Sequence, residues 1–532
     1  MTPLSEETLE NVLEFFDKHE SEIDVLAIPI KFFGRTENYH ILNEKFKSDK
    51  IIDLNIDSNN PQLSASSAFF KNNLFPRFKF ATDIITSEDS IMINEILLEK
   101  NKYGVINSAT YYYRKRFDES STIDNSKLKK EFFIEKLDKY FGKLEDYSIE
   151  KNGKVESFIQ YLIAYDIQWL LKQPDLSLLN DEEKEEFWKK LIPILRKLDV
   201  GVVNNKFITN NQFKDFLIYL ITGDKEEKIS GNNAIIKVNG KQIDSLKSHS
   251  LWIDIVEIRN GFLNISGFLN SYFSYENLKI IAVKKDLKQN SIEEFVANRV
   301  EYPTRKEMKF VDCVWQYSYN FDLKVPISEG DKCSVHILTR YYSDNGKNVS
   351  KNLKINFHKH ARISNISNYI VKDSHILTFK DNAFNIEAYR FKKMKERESI
   401  VQNTLQKSKP EGFKQAKYLR KLALILHFLN VRFFHKQIYL FMDRSNKADD
   451  NGEHLFKYAM QQNDGIKKYF KKLEIGKLNT FSSNELIEFI ETCYSYAKIS
   501  LNKYLSKYSK QMYSQPTLFI IVALKIYLNV TY

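Results

Sequence analysis

Three stretches of the sequence carry residue types suited to group transfer. Glu88 and Asp89 open "EDSIMINEILLEK", whose apolar spacing predicts a helix with both acids in its first turn. An aspartate so placed can take the proton of a hydroxyl as that hydroxyl attacks an anomeric carbon. Adjacent acids at a helix start are also ordinary caps. Further along, "YYYRKRFDESST" supplies Arg114, Lys115, Arg116, Ser120 and Ser121. Guanidinium forks and hydroxyls suit a departing diphosphate, whose charge grows in the transition state; a solvated basic turn is the plainer alternative. Near the other end, "KQIYLFMDRSNKADDNGEHLFKYA" runs apolar over 438–442 and then turns on Asp443 and Arg444, with Asp449 and Asp450 close behind. Strand ends of this kind gather ligands in α/β folds, although an Asp443–Arg444 contact could simply stabilise a charged turn.

The elements that must position these residues read as a multidomain α/β plus all-β chain. Residues 1–125 alternate helix and strand: "EETLENVLEFFDKH" as helix, "IDVLAIPIKFF" as a buried strand, and "YGVINSATYYYRKR" as another strand. Over 126–225 the periodicity is helical, with Trp169 and Trp188 expected in the core. Residues 226–370 break into short alternating strands punctuated by Asn and Gly, such as "LWIDIVEIRNGFLNISGF" and "CSVHILTRYY", which predicts an antiparallel β-sandwich. Over 371–435 the chain turns helical and basic, and 436–532 begins a further α/β piece.

Composition excludes several classes. Hydrophobic residues make up 43% of 532, with 39 Phe and 30 Tyr, so the chain can build several cores. Cys313, Cys333 and Cys493 share no metal-like spacing and indicate a reducing compartment. The net charge of +11 favours an anionic partner, but no helix-turn-helix, zinc-finger or RNP-type pattern points to nucleic acid. No apolar run reaches the roughly 20 residues of a membrane span. The segment 414–436 places Lys414, Lys417, Arg420, Lys421, Arg432 and Lys436 around an apolar mass, the pattern of a helix lying on an anionic membrane or packed on the next domain.

Taken in order, "IDVLAIPIKFF", His40 in "YHILNEKF", "PQLSASSAFF", "SEDSIMINEILLEKNKYGV" and "YYYRKR" with its paired serines make residues 1–125 resemble the C-terminal half of a GT-A, family 2 glycosyltransferase of the teichoic-acid and capsule type. The resemblance implies Asp89, within the Glu88–Asp89 pair, as catalytic base, with Arg114, Arg116 and Ser121 toward the donor's diphosphate. "QIYLFMDRSNKADDNGEHLFKYA" resembles the start of a GT-B CDP-glycerol glycerophosphotransferase domain, and the sandwich resembles the region before that domain in bifunctional enzymes. The expectations are therefore nucleotide-sugar and CDP-glycerol donors, a teichoic-acid or capsule polymer acceptor, a divalent cation (Mg or Mn), and a cytoplasmic protein peripheral on the inner face of the cell membrane. The family's metal-binding Asp-x-Asp and its downstream catalytic histidines have no counterpart here. The chain is accordingly expected to be truncated at both ends and weak or inactive as an enzyme. A non-catalytic polymer-binding or scaffold protein built on the sandwich is the alternative.

Overall fold

The structure is a computed structural model and describes residues 4–117, 126–358, 361, 363, 369–372, 374–408, 438–443, 451–463 and 467–472. The chain divides into two compact units, Met1–Ser364 with Ile370–Ala388, and Asn365–Tyr369 with Tyr389–Tyr532.

The first unit opens with α1 (Thr8–Lys18) and a mixed four-stranded sheet. In it β1 (Val25–Ala27) runs parallel to β5 (Lys102–Val105) and antiparallel to β4 (Ala68–Phe70), while β3 (Lys50–Asp53) pairs with the other side of β5. A separate parallel pair joins β2 (Ile30–Gly34) to β6 (Tyr111–Lys115). Each of two expected strands has thus become two. "IDVLAIPIKFF" breaks at Ile28 and Pro29, since proline brings no N–H to a ladder, and "YGVINSATYYYRKR" breaks over 106–110. The Tyr111 amide donates to the Pro29 carbonyl at 2.9 Å, so both segments leave one sheet and enter the other side by side.

Gly34 closes the second sheet. Its φ is +98°, and a Cβ there would stand 2.5 Å from the backbone oxygen of Lys115. Only glycine meets both demands.

Helix α2 (Glu88–Lys100) is covered on nearly every side, with Ser90–Asn94 and Ile96–Leu98 all buried. It shares one apolar core with the sheet and with the helices Lys143–Asn152, Ser157–Leu171, Asp181–Arg196 and Asn211–Thr222. That core continues to Phe310, Val311 and Trp315, where Phe216 stacks on Phe310 with ring centroids 5.0 Å apart. Trp188 packs against this core, but Trp169 does not belong to it. It is 43% exposed, and its ring carries the ammonium groups of Lys127 and Lys172, each 5.8 Å from the centroid. The helix bearing Trp169 is apolar around most of its circumference, so spacing alone could not separate inner from outer positions.

Strands then run from Lys225 to Ala388, past the boundary expected at residue 370, so the helix expected from 371 begins only at Phe391. A six-stranded and a seven-stranded sheet share a second apolar core, and the first is not wholly antiparallel as expected, since 250–253 runs parallel to Lys354–Phe357. The strand Ser250–Arg259 shows the pattern: Leu251, Ile253, Val256 and Ile258 are buried while Trp252, Ile255 and Arg259 are exposed. A register shift between Ile253 and Ile255 keeps the alternation in phase.

In the second unit a helix spans Phe391–Ser408. Beyond it the strand Ile438–Asp443 pairs in parallel with Lys467–Lys472, and the helix Asn451–Met460 touches both. This is a βαβ unit, the form that two parallel strands with a helical crossover must take.

Gly34→Ala is expected to lower stability by about 2 kcal/mol or more, from the left-handed backbone and the contact with the Lys115 carbonyl together. Urea unfolding of the two proteins measures this.

Candidate active site

Two non-glycine residues in the left-handed region flank α2. Asn101 ends it at φ 53°, and Ser87 enters it at φ 79° with no capping bond from its side chain. Strain of about 1–2 kcal/mol at a helix entrance persists only where the surroundings impose it. Here they do. Asp89 Oδ2 accepts a 2.9 Å hydrogen bond from the backbone N–H of Ala65, which draws the first turn of α2 against the segment 61–67. Burial pushes the Asp89 carboxyl above its usual range, while the Ala65 amide pulls the other way. Its second oxygen takes no hydrogen bond from the described residues, and the residue is half-buried. Glu88, half-buried, opens the same turn.

Segment 61–67 is held from beneath by a lysine. Lys45 lies on a short 3-10 helix (Ile41–Phe46) and is only 5% exposed. Its Nζ donates to the Pro61 carbonyl and to Gln62 Oε1, both at 2.7 Å. Gln62 passes the restraint on, donating from Nε2 to the Ser64 carbonyl at 3.0 Å and to Ser67 Oγ at 3.3 Å. From α2, Asn94 Nδ2 donates to the Gln62 carbonyl at 3.0 Å and to the Ser90 carbonyl at 2.7 Å. Ser90 in turn exchanges a 2.7 Å hydrogen bond with the phenol of Tyr140, fully buried in the π-helical segment Lys136–Gly142. Burial without a carboxylate partner brings the Lys45 ammonium down to about 7.

His40 begins the helix that carries Lys45. Its Nδ1 accepts from the Leu42 amide at 3.2 Å, so the neutral ring carries its proton on Nε2. Burial, with the charges of Lys45 and Lys115 adding, brings the imidazole down to about 4. The ring meets Phe32 edge-on at 5.7 Å, and Lys115 lies over Phe32 and Tyr113 at 4.9 and 5.3 Å.

Some of the residues marked in the sequence come together and others do not. Asp89 is connected to His40 through segment 61–67 and Lys45, and His40 borders Lys115 at the end of β6. Arg114 and Arg116 flank Lys115 and are exposed; Asp89 makes no ion pair with either among the described residues. Asp443 is the last residue of its strand, in register with Lys472. Ser121, Arg444, Asp449, Asp450 and all six cations of 414–436 lie outside the described residues. The roles of Lys45, Gln62, Asn94 and Tyr140 were not anticipated. One signal was available for Lys45: a lone cation between Leu42 and Phe46 in a stretch of apolar spacing.

Among the described residues no group of three or more His, Cys, Asp or Glu side chains could hold a metal ion. No step below is routed through the divalent cation that the resemblance implies. No helix among them is long and apolar enough to cross a membrane.

No family model matches the chain. It is 29% identical over 482 residues to the minor teichoic acid biosynthesis protein GgaB of Bacillus subtilis, covering 88% of this chain and 52% of that protein. It is 24% identical over 341 residues to GgaA of the same organism, another minor teichoic acid biosynthesis protein, covering 61% of this chain and 70% of that one. The chain spans about half the length of GgaB. A crystal structure of S. aureus TarS 1-349 in complex with UDP-GlcNAc aligns at 16% identity and a TM-score of 0.32 over 45% of this chain and 71% of that one, too loosely to bear on fold or function. The two relatives agree with the teichoic-acid resemblance, and neither name speaks to CDP-glycerol or capsule.

Stability should respond to Lys45 and His40 in a defined sense. Folding lowers the Lys45 value from 10.5 to about 7, so between those pH values the unfolded chain holds more protons and stability rises with pH. His40, lowered from 6.5 to about 4, costs stability as pH falls through that window. Lys45→Met should flatten the rise above pH 7, and His40→Gln the loss below pH 6.5, in urea unfolding measured across pH.

Proposed function

We propose that the chain belongs to a transferase that builds a cell-surface polymer of the teichoic-acid type, with the site around Asp89 serving sugar transfer from a nucleotide-sugar. The observation that carries this reading is the state of Asp89: one carboxylate oxygen fixed by the Ala65 amide, the other without a hydrogen bond among the described residues, and the acid raised by burial. In the reaction the acceptor hydroxyl gives its proton to Asp89 as its oxygen bonds to the anomeric carbon. The bond from that carbon to the diphosphate oxygen breaks, and the nucleoside diphosphate leaves with the electron pair. Arg114, Lys115 and Arg116, at the end of β6, supply cations for the departing diphosphate; Ser121 is assigned there by the family resemblance.

A second reading concerns the other unit. Its βαβ arrangement, with Asp443 closing the first strand, supports a glycerophosphotransferase domain using CDP-glycerol, with Arg444, Asp449 and Asp450 following in the sequence. The basic segment 414–436 would hold the protein on the anionic inner leaflet, each cation contributing about 1 kcal/mol near the surface.

In the assembled transferase to which the chain is proposed to belong, Asp89→Asn should lower sugar transfer at least a hundredfold while leaving donor affinity within about twofold, because it removes a proton acceptor and not a phosphate contact. Unchanged transfer would contradict the assignment of Asp89 as the base, whereas no transfer before substitution would favour the polymer-binding scaffold reading. Charge reversal at Lys417, Arg420 and Lys421 should release the protein from phosphatidylserine vesicles at about 0.1 M salt in co-sedimentation. Binding that ignores both salt and reversal would refute the membrane role.

A further inference from the structure

Segment 61–67 carries two hydroxyls that its internal restraints do not consume. Ser64 Oγ and Ser66 Oγ lie 2.7 Å apart in an exposed hydrogen bond. They flank Ala65, whose amide grips Asp89. The backbone beneath them is fixed from several sides. The Ser64 carbonyl accepts from Gln62 Nε2 at 3.0 Å and from Ser67 Oγ at 3.4 Å, and the Ser67 carbonyl accepts from the Ile28 amide at 2.9 Å. Buried Lys45 anchors Pro61 and Gln62. The side chains that stabilise the segment are therefore Lys45, Gln62, Ser67 and Asn94, and the exposed serine pair flanks the residue whose amide holds Asp89.

We infer that Ser64 and Ser66 form the subsite that binds the acceptor's polyol hydroxyls and delivers one of them to Asp89. The inference rests on the transferase reading of Asp89. Each serine hydroxyl offers one donor and two acceptor positions, so the pair can both give and receive hydrogen bonds. Such a pair matches hydroxyls on a neutral sugar or polyol and offers no charge to a phosphate, which is recognised by cations. Held rigidly, it loses little freedom on binding. The pair therefore reads the hydroxylated unit of the polymer, while the cations at the end of β6 face the donor.

Calorimetric titration of the full chain with an oligomer of glycerol phosphate, and with inorganic polyphosphate of equal charge, tests the inference. The double variant Ser64→Ala/Ser66→Ala should bind the glycerol phosphate oligomer about tenfold more weakly, with polyphosphate binding unchanged. The hydroxyl-retaining pair Ser64→Thr/Ser66→Thr should restore most of the loss. Three results would overturn it: no binding of the oligomer by the wild type, an unchanged oligomer affinity in the alanine variant, or equal weakening toward both probes. Loss of transfer on Asp89→Asn together with any of these would spare the catalytic reading and reject the subsite alone. Retained transfer on Asp89→Asn would reject that reading whatever the serines do.

Discussion

The buried ammonium of Lys45 is the contact on which the rest of this site depends. A lysine taken out of water without a carboxylate is costly, and two carbonyl-type acceptors at 2.7 Å offset only part of that cost. The return is positional. Pro61 and Gln62 are fixed to the 3-10 helix, Gln62 fixes Ser64 and Ser67, and the amide of Ala65 is presented to Asp89. Remove the lysine and the acceptors it satisfies are left buried and unpaired. A buried charge kept for the geometry it enforces fits a site better than a core.

The other half of the contact is α2, which must hold Asp89 as firmly as segment 61–67 holds Ala65. Its burial on almost all sides does so. Toward the entrance, Tyr140 of the π-helical segment reaches Ser90, and Lys136 beside it pairs with Asp166 at 3.2 Å. A π-helical stretch shifts the phase of a helix, and here it carries Tyr140 onto the turn next to the acid. At the far end, burial pushes the Glu99 carboxyl up, but hydrogen bonds from Lys151, Arg77 and Tyr147 outweigh it and hold it at about 2. The left-handed Ser87 is the residue that absorbs the mismatch between a helix so fixed and the chain leading into it.

Periodicity made the element types legible: the helices after residue 126, the alternating strands across 251–358, and α2 with its leading acids all follow from spacing. It could not show where strands change sheets. Pro29 was a signal for one break, and its partner over 106–110 follows only from pairing with it. The site is a set of long-range contacts, Lys45 to Gln62, Ala65 to Asp89, Ser90 to Tyr140, and no local pattern encodes these. The stretches "YHILNEKF" and "PQLSASSAFF" stood out by resemblance, but their roles required knowing what lies beneath what. Trp169 misled because a helix apolar all round does not declare its outer face.

Hydrogen exchange at the Ala65 amide tests this account most directly, because that one N–H joins segment 61–67 to the acid. In the wild type it should exchange slowly, and Gln62→Ala, which touches neither Ala65 nor Asp89, should speed it by an order of magnitude or more as the segment loosens. An Ala65 amide that exchanges at the same rate with and without Gln62 would show that Asp89 is not held by the network beneath it.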